Sequence, residues 1–181
     1  EIVSNSIDEY YMGYGNKITI DLYEGNRIKI ADEGRGCPFG LRDDGTEALE
    51  AIYTMAHSGA KFDDKIFQNV AGMNGIGGKG VALSADEFTV VSYRDMQYAK
   101  LELRDGIKVC FETGPQETKD KKRTGTVVEF VPSQEVYNLE TVKFDFDEIK
   151  KMCQDWSYLS KGVSFILHNH ITGEKVTYLS K

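Results

Sequence analysis

Long apolar segments are missing from the sequence, which contains no run of about 18 apolar residues of the kind that crosses a membrane. The first residues also lack the basic and then apolar pattern of a secretory signal. These two absences predict a soluble, cytoplasmic protein without a membrane partner. Cysteine is scarce as well, because Cys37, Cys110 and Cys153 form an odd set without CxxC pairs or nearby histidine ligands. Their spacing argues against a disulfide framework and against a zinc site built on them.

Basic residues are fewer than acidic ones, 22 against 29, which gives a net charge of −7. Such a surface repels a nucleic acid backbone, so we do not expect this chain to be the main DNA-binding part of any protein. The basic run at 119–123 is short and typical of a solvated loop. A chain of 181 residues can bury a sizeable core without disulfides, and no repeat or linker divides it. Residues 1–181 are therefore predicted to form a single domain.

Glycine, by contrast, is concentrated in the segment 71–80 (AGMNGIGGKG), which holds five glycines and one lysine in ten residues. Glycines let backbone N–H groups converge on an anion without interference from side chains, and a lysine adds a compact positive charge. The segment is therefore a candidate phosphate-binding loop. The alternative interpretation is a flexible surface connector, because such loops are also rich in glycine.

The first eleven residues carry a helical pattern. Apolar residues recur at positions 3, 7 and 10, which predicts one buried helix face. Glu1, Asn5 and Asp8 have the same spacing on another edge, so that a carboxylate, an amide and a second carboxylate lie in line. The alternative for these polar residues is a solvated helix edge.

The rest of the chain alternates between strand and helix patterns. Apolar and polar residues alternate in 17–23 and 27–31, which predicts a hairpin, and helical spacing returns in 46–55 and 146–159. Further segments rich in β-branched and aromatic residues predict strands at 87–94, 97–104, 107–113, 125–132, 163–168 and 175–179. We therefore predict an α+β fold, a two-layer sandwich of a mostly antiparallel sheet with helices on one face.

Five segments occur in an order that resembles a known family. They are EIVSNSIDE (1–9), DEGRGCP (32–38), HSGAKFDD (57–64), AGMNGIGGKG (71–80) and GTVVEF (125–130). In sequence and spacing they resemble the ATP-binding domain of the ATPase subunits of type II DNA topoisomerases, above all the B subunits of DNA gyrase and of topoisomerase IV. The resemblance covers essentially the whole chain. It implies a Bergerat-type ATP-binding fold that binds ATP and Mg²⁺ and drives DNA strand passage in the full enzyme.

The resemblance also implies roles for individual residues. Glu1 matches the general base that polarises the attacking water, and Asn5 matches the residue whose oxygen binds Mg²⁺. Asp8, on the same edge, is assigned to the nucleotide site. Asp32 matches the aspartate that accepts a hydrogen bond from the adenine amino group, and Thr126 matches the threonine that holds a water beside it.

Other residues are expected at the rim and in the lid of the site. Gly34 and Gly36 would let the backbone pass close to the nucleotide, and Arg35 and Arg94 match rim arginines, the second a contact for aminocoumarin inhibitors in the family. The lid is expected to begin at Lys61. Its expected phosphate ligands are the side chain of Lys79, as in eukaryotic and phage enzymes, and the backbone N–H groups of Gly75, Ile76 and Gly77.

Several positions depart from the bacterial pattern, and in the lid Asn74 and Lys79 are more similar to the residues of eukaryotic and phage enzymes. Ser4 stands where bacterial enzymes usually have an aspartate, and Cys37 and Tyr53 stand where aliphatic residues usually line the adenine pocket. The two pocket residues predict altered inhibitor affinity. The histidines, His57 and the pair at 168 and 170, show no partner pattern and are assigned no chemistry.

The chain begins at the expected base and stops before the transducer domain of the family. It is therefore expected to be an excised part, without the N-terminal arm, that is monomeric and has little or no ATPase activity alone. In the full enzyme the implied partners are duplex DNA, a DNA-cleaving subunit or region, and a second ATPase domain in a homodimer. The implied location is the cytoplasm of a bacterial or phage-infected cell. A non-catalytic, nucleotide-responsive interaction module remains the alternative function.

Overall fold

The computed structural model describes residues 1–55, 77–117, 123–137 and 143–179. These residues form one sheet of eight strands in the order β5-β4-β3-β6-β2-β1-β7-β8. The strands are β1 (Lys17–Tyr23), β2 (Arg27–Asp32), β3 (Ala85–Arg94), β4 (Gln97–Arg104), β5 (Ile107–Pro115), β6 (Gly125–Pro132), β7 (Ser164–Asn169) and β8 (Lys175–Leu179). Neighbouring strands are antiparallel except for β1 and β7, which are parallel.

Helices in the described ranges are α1 (Ile2–Tyr11), α2 (Ala48–Thr54), α3 (Gly77–Leu83), α4 (Gln134–Tyr137) and α5 (Phe146–Leu159). Helix α5 has a side-chain cap, because the carboxylate of Asp145 accepts hydrogen bonds from the N–H groups of Asp147 and Glu148. None of the helices in these ranges is long and apolar enough to cross a membrane.

One face of the sheet is buried under the helices. The period of two along each strand places apolar side chains on this face, as Ile18, Ile20 and Leu22 illustrate in β1. Residues from α1, α2, α3 and α5 join the same core, among them Ile7 and Leu49. The predicted α+β sandwich with helices on one face is therefore confirmed.

The opposite face of the sheet is more polar, and its residues alternate with those of the core. Lys29, Thr89, Lys100 and Glu129 lie on this open face of the central strands. Because register fixes which residues share a face, Asp32 and Thr126 lie on the helix-covered face instead. They meet at one end of the sheet, where β2 ends and β6 begins.

The close approach of these two strand ends depends on Gly125. Its φ of +131° is a conformation that other residues rarely adopt, and a Cβ atom there would lie 2.9 Å from the carbonyl carbon of Asp32. A side chain at this position would force β6 away from the end of β2. The glycine thus brings the backbone of β6 to the Asp32 side chain.

Candidate functional site

Asp32 occupies the end of β2 and is held by three hydrogen bonds. Its Oδ1 atom accepts from the backbone N–H of Gly34 at 2.9 Å and from that of Thr126 at 3.1 Å. Its Oδ2 atom accepts from the hydroxyl of Ser6 at 2.9 Å. These contacts fix the carboxylate between α1, β2 and β6, so its orientation is set by the fold.

Burial raises the pKa of Asp32 above the ordinary value of an aspartate, and the negative charge of Glu9 adds to this effect. The hydrogen bonds from Gly34, Thr126 and Ser6 oppose the shift because they stabilise the charged form. A partly buried carboxylate with a fixed orientation and a spare lone pair on Oδ2 is a strong hydrogen-bond acceptor.

Arg35 lies beside this carboxylate but is paired with Glu9 of α1. The Nε and Nη2 atoms of Arg35 donate to the two oxygens of Glu9 at 3.1 and 2.8 Å, and its backbone N–H donates at 2.9 Å. The guanidinium also lies 4.5 Å from the ring centre of Tyr14. This two-point ion pair fixes the loop after β2 on α1.

Gly36 brings the same loop against the end of β3. Its φ is +79°, and a Cβ atom there would lie 2.9 Å from Ser92 Oγ and would overlap the carbonyl oxygen of Tyr93. The Ser92 hydroxyl donates to the carbonyl of Cys37 at 2.6 Å. Arg94 completes the contact, since its Nη1 atom donates to the carbonyl of Gly36 at 3.4 Å. The predicted rim residues Gly36 and Arg94 are therefore adjacent.

Cys37 and Tyr53 form a wall next to Thr126. The Cys37 sulfur lies 3.6 Å from Thr126 Oγ1 and 3.7 Å from the Tyr53 hydroxyl. Burial raises the pKa of the Cys37 thiol and raises that of the Tyr53 hydroxyl well above its ordinary value. Both groups are therefore neutral at physiological pH, and they line the site with weakly polar surface rather than charge.

The start of α3 packs against the polar edge of α1. A Cβ atom at Gly77 would lie 2.6 Å from Cδ of Glu1, and one at Gly78 would lie 3.7 Å from Nδ2 of Asn5 and 3.3 Å from the ring of Tyr53. The structure thus places the predicted base and the predicted Mg²⁺ ligand beside Gly77 and Gly78, the first two residues of α3. Glu1 is exposed there and Asn5 is half-buried.

Lys79 and Asp8 lie on the two helices that meet here, α3 and α1. Lys79 lies in α3 and is half-buried, and desolvation lowers its pKa. Asp8 lies in α1, and its pKa is raised by burial and then by the charge of Glu9. The remaining predicted lid residues, Lys61, Gly75 and Ile76, lie outside the described residues.

Two residues of the site were not predicted from the sequence. Ser6 binds Asp32, and its small polar side chain on the apolar side of α1 is the sequence signal for it. Glu9 binds Arg35, and it directly follows the predicted Asp8 in α1. Helical spacing alone does not predict whether residue 8 or residue 9 contacts the loop after β2.

Comparison with known proteins identifies relatives that match this chain from end to end. The B subunit of DNA topoisomerase 4 from Francisella tularensis is 32% identical over 182 residues, which cover 98% of this chain and 28% of that protein. The B subunit of type 2 topoisomerase from Aquifex aeolicus is 30% identical over 184 residues, which cover 98% of this chain and 22% of that protein. The chain therefore spans about a quarter of the length of these relatives. No protein-family model matches the chain.

Solved structures share the fold. The 43K ATPase domain of Thermus thermophilus gyrase B, in complex with an aminocoumarin, has a TM-score of 0.83 and 25% identity, covering 99% of this chain and 44% of that one. The ATP-binding domain of Francisella tularensis topoisomerase IV, in complex with a small-molecule inhibitor, has a TM-score of 0.81 and 29% identity. The match covers 99% of this chain and 47% of that one. With relatives and structures in agreement over nearly its whole length, the chain is homologous to the B subunits of type II DNA topoisomerases and has the fold of their ATP-binding domain.

Proposed function

We propose that this chain binds ATP between Asp32 and the junction of α1 with α3, and that the full-length protein hydrolyses it to drive DNA strand passage. The observation that carries the proposal is the placement of two unlike groups at one site. A fixed carboxylate acceptor lies at the end of β2, and Glu1 and Asn5 meet the glycine-rich segment at the start of α3. ATP can use both, because adenine carries an amino donor at one end of the molecule and the phosphates lie at the other end.

At the base end, Asp32 selects for adenine. Its Oδ1 atom is occupied by two backbone N–H groups, so Oδ2 is the oxygen left to accept a further donor beside Ser6. The exocyclic amino group of adenine supplies that donor, whereas guanine would place a carbonyl oxygen against the carboxylate. Leaving a buried acceptor unpaired is costly, so the site should reject guanine. Thr126 is suited to hold a water beside the same carboxylate.

At the rim, the two arginines are held in place by neighbours. Arg35 is paired with Glu9, and Arg94 contacts Gly36 and lies 3.5 Å from the carboxylate of Asp95. We infer that Arg94 is the rim contact for aminocoumarin-type inhibitors. Cys37 and Tyr53 would lie deeper and alter the shape of the pocket that such inhibitors enter.

At the phosphate end, the residues are of the types that bind Mg²⁺ and position the water that attacks the γ-phosphate. The amide oxygen of Asn5 is a hard ligand of the kind that Mg²⁺ takes together with phosphate oxygens and retained waters. When bound, the ion would neutralise charge that develops on the phosphate oxygens. Glu1, exposed at the start of α1, would accept a proton from the attacking water and hold it in position. Backbone N–H groups at the glycine-rich segment and Lys79 would bind the phosphates.

Replacing Gly77 with alanine tests the junction between α1 and α3. The new Cβ atom would overlap the Glu1 carboxylate, so either α3 or Glu1 must move. A displacement of about 1 Å in a catalytic group can cost about a hundredfold in rate, and we expect a loss of that order in ATP hydrolysis by the full-length protein. Steady-state ATPase assays measure this effect.

Gly80→Ala is the matched control for that experiment. Gly80 lies in the same helix, and a Cβ atom there would meet nothing within 4 Å. Alanine at this position should leave hydrolysis unchanged and raise stability by about 0.5–1 kcal/mol, because glycine is the weaker helix former. Equal ATPase activity in the two variants would remove the Glu1–Gly77 contact from the mechanism.

The raised pKa of Asp32 predicts a dependence of nucleotide binding on pH. Because the folded-state pKa is above that of the unfolded chain, ionisation of Asp32 costs stability as the pH rises through it. Nucleotide binding has the opposite requirement, because in the ionised form neither oxygen carries a proton and Oδ2 can accept a hydrogen bond from adenine. We therefore expect ATP affinity to fall as the pH drops through this raised pKa.

Carbon-13 NMR titration of the aspartate side chains checks the underlying shift. The midpoint of Asp32 should lie above the ordinary value of about 3.9. Asp44 provides an internal control, because hydrogen bonds from Thr46 lower its pKa. A midpoint for Asp32 at or below that of Asp44 would contradict the proposed desolvation.

Activity of the whole enzyme is best tested by DNA relaxation and supercoiling assays. We propose that the full-length protein acts in the cytoplasm as a homodimer with a DNA-cleaving partner and duplex DNA. ATP-dependent change of linking number is the expected result. A full-length protein that binds ATP but neither hydrolyses it nor changes linking number would instead be a non-catalytic, nucleotide-responsive interaction module.

A further inference from the structure

The fold brings together two histidines and an aspartate that are far apart in the chain. Asp21 of β1 pairs with His168 of β7 across the parallel strands, and His170 follows directly after β7. The three side chains lie on the open face where β1 adjoins β7, away from the core and from Asp32. His168 and His170 are two positions apart, so both rings extend from the same side of the chain.

Ligand atoms of these three side chains already lie close to one another. One atom from each, a carboxylate oxygen or a ring nitrogen, falls within 4.8 Å of the other two. His170 Nε2 is 2.7 Å and His168 Nδ1 is 3.9 Å from Asp21 Oδ1. A tetrahedral zinc ion with bonds of about 2.0–2.1 Å needs ligand atoms about 3.3 Å apart, which lies between these two distances.

The surroundings restrict the histidine rings. Tyr23 stacks on His170 with ring centres 4.3 Å apart and an angle of 12°, and the rings of His168 and His170 have centres 3.6 Å apart. The backbone N–H of His170 donates to the carbonyl of Leu22 at 2.8 Å. These contacts reduce the conformational freedom that a cation would have to remove from its ligands on binding.

We propose that Asp21, His168 and His170 form a binding site for a divalent transition-metal ion of the zinc class. Two imidazole nitrogens and one carboxylate oxygen are a ligand set that Zn²⁺ prefers, and a water would complete four-coordination. The Asp21 charge favours a cation, whereas the charge of Lys175, which pairs with His168 across β7 and β8, reduces the affinity without removing a ligand. A bound ion would join the end of β7 to β1, the one parallel pair of the described sheet.

Titration of the tag-free protein with Co²⁺ and with Zn²⁺ tests this proposal. Absorption spectroscopy should show visible d–d bands that saturate at one equivalent of Co²⁺, and calorimetry should show one equivalent of Zn²⁺. His168→Ala and His170→Ala should each weaken binding at least tenfold, and the double variant should abolish it. Asp21→Asn preserves the shape of the side chain and should also weaken binding. This variant still tests the site if a histidine variant fails to fold.

His57→Ala is the matched control, because His57 is the third histidine of the sequence and should leave metal binding unchanged. Three results would overturn the proposal. They are the absence of saturable binding, one-equivalent binding that survives in the double variant, and near-ultraviolet thiolate charge-transfer bands that assign the ion to cysteine. Binding of an ATP analogue should be the same in the variants of Asp21, His168 and His170, so the metal site and the nucleotide site can fail independently.

Discussion

Asp32→Asn is expected to lower the affinity for ATP by about a hundredfold, or about 2.7 kcal/mol, because a hydrogen bond to a charged group contributes about 1.5–3 kcal/mol. The asparagine oxygen would keep the two backbone N–H donors of Gly34 and Thr126. Its NH₂ group would then occupy the position of Oδ2 and face the amino group of adenine, donor against donor. Calorimetric titration with a nonhydrolysable ATP analogue measures the loss.

Asp105→Asn is the control for this substitution. Asp105 is exposed in the turn between β4 and β5, and its φ of +50° is a conformation that asparagine tolerates. This variant should bind the analogue like the unmodified protein. The Asp32 variant should remain folded, because its buried N–H donors stay paired. Unchanged affinity in a folded Asp32→Asn protein would exclude Asp32 from the recognition of adenine.

Glu1→Ala in the full-length protein is expected to lower ATP turnover by about a hundredfold to ten-thousandfold, the usual contribution of a general base. ATP binding should persist, because Glu1 is exposed at the start of α1 and the adenine contact at Asp32 is intact. Steady-state hydrolysis and analogue binding, measured side by side, separate the two effects.

Glu24→Ala serves as the control, since Glu24 is exposed in the turn between β1 and β2. It should leave both turnover and binding unchanged. Turnover that survives in Glu1→Ala would mean that the base lies elsewhere. Loss of binding together with turnover would mean that Glu1 has a structural role at the contact with Gly77.

Elements with strong periodicity were predictable from the sequence. The alternation in 17–23 and 27–31 predicts the hairpin of β1 and β2, and helical spacing in 146–159 coincides with α5. In these segments local preference and burial require the same structure. The helix predicted at 46–55 is shorter in the structure, Ala48–Thr54, because helix ends depend on capping contacts rather than on periodicity.

Long-range contacts were not predictable in the same way. Nothing in the local pattern of β1 or β7 indicates that they pair in parallel, and this pairing is what brings Asp21 to the two histidines. The ion pair of Glu9 with Arg35 is similar, because helical spacing allows either position 8 or position 9 to face the loop after β2. Motifs predicted which residue types meet at the site, and the tertiary fold determined their partners.

The most direct measurement of the central claim is calorimetric titration of this chain with nonhydrolysable analogues of ATP and of GTP in the presence of Mg²⁺. Because the Asp32 carboxylate accepts from an amino group and repels a carbonyl, the chain should bind one ATP analogue and bind the GTP analogue at least a hundredfold more weakly. No binding of the ATP analogue, or equal affinity for the two nucleotides, would contradict the account.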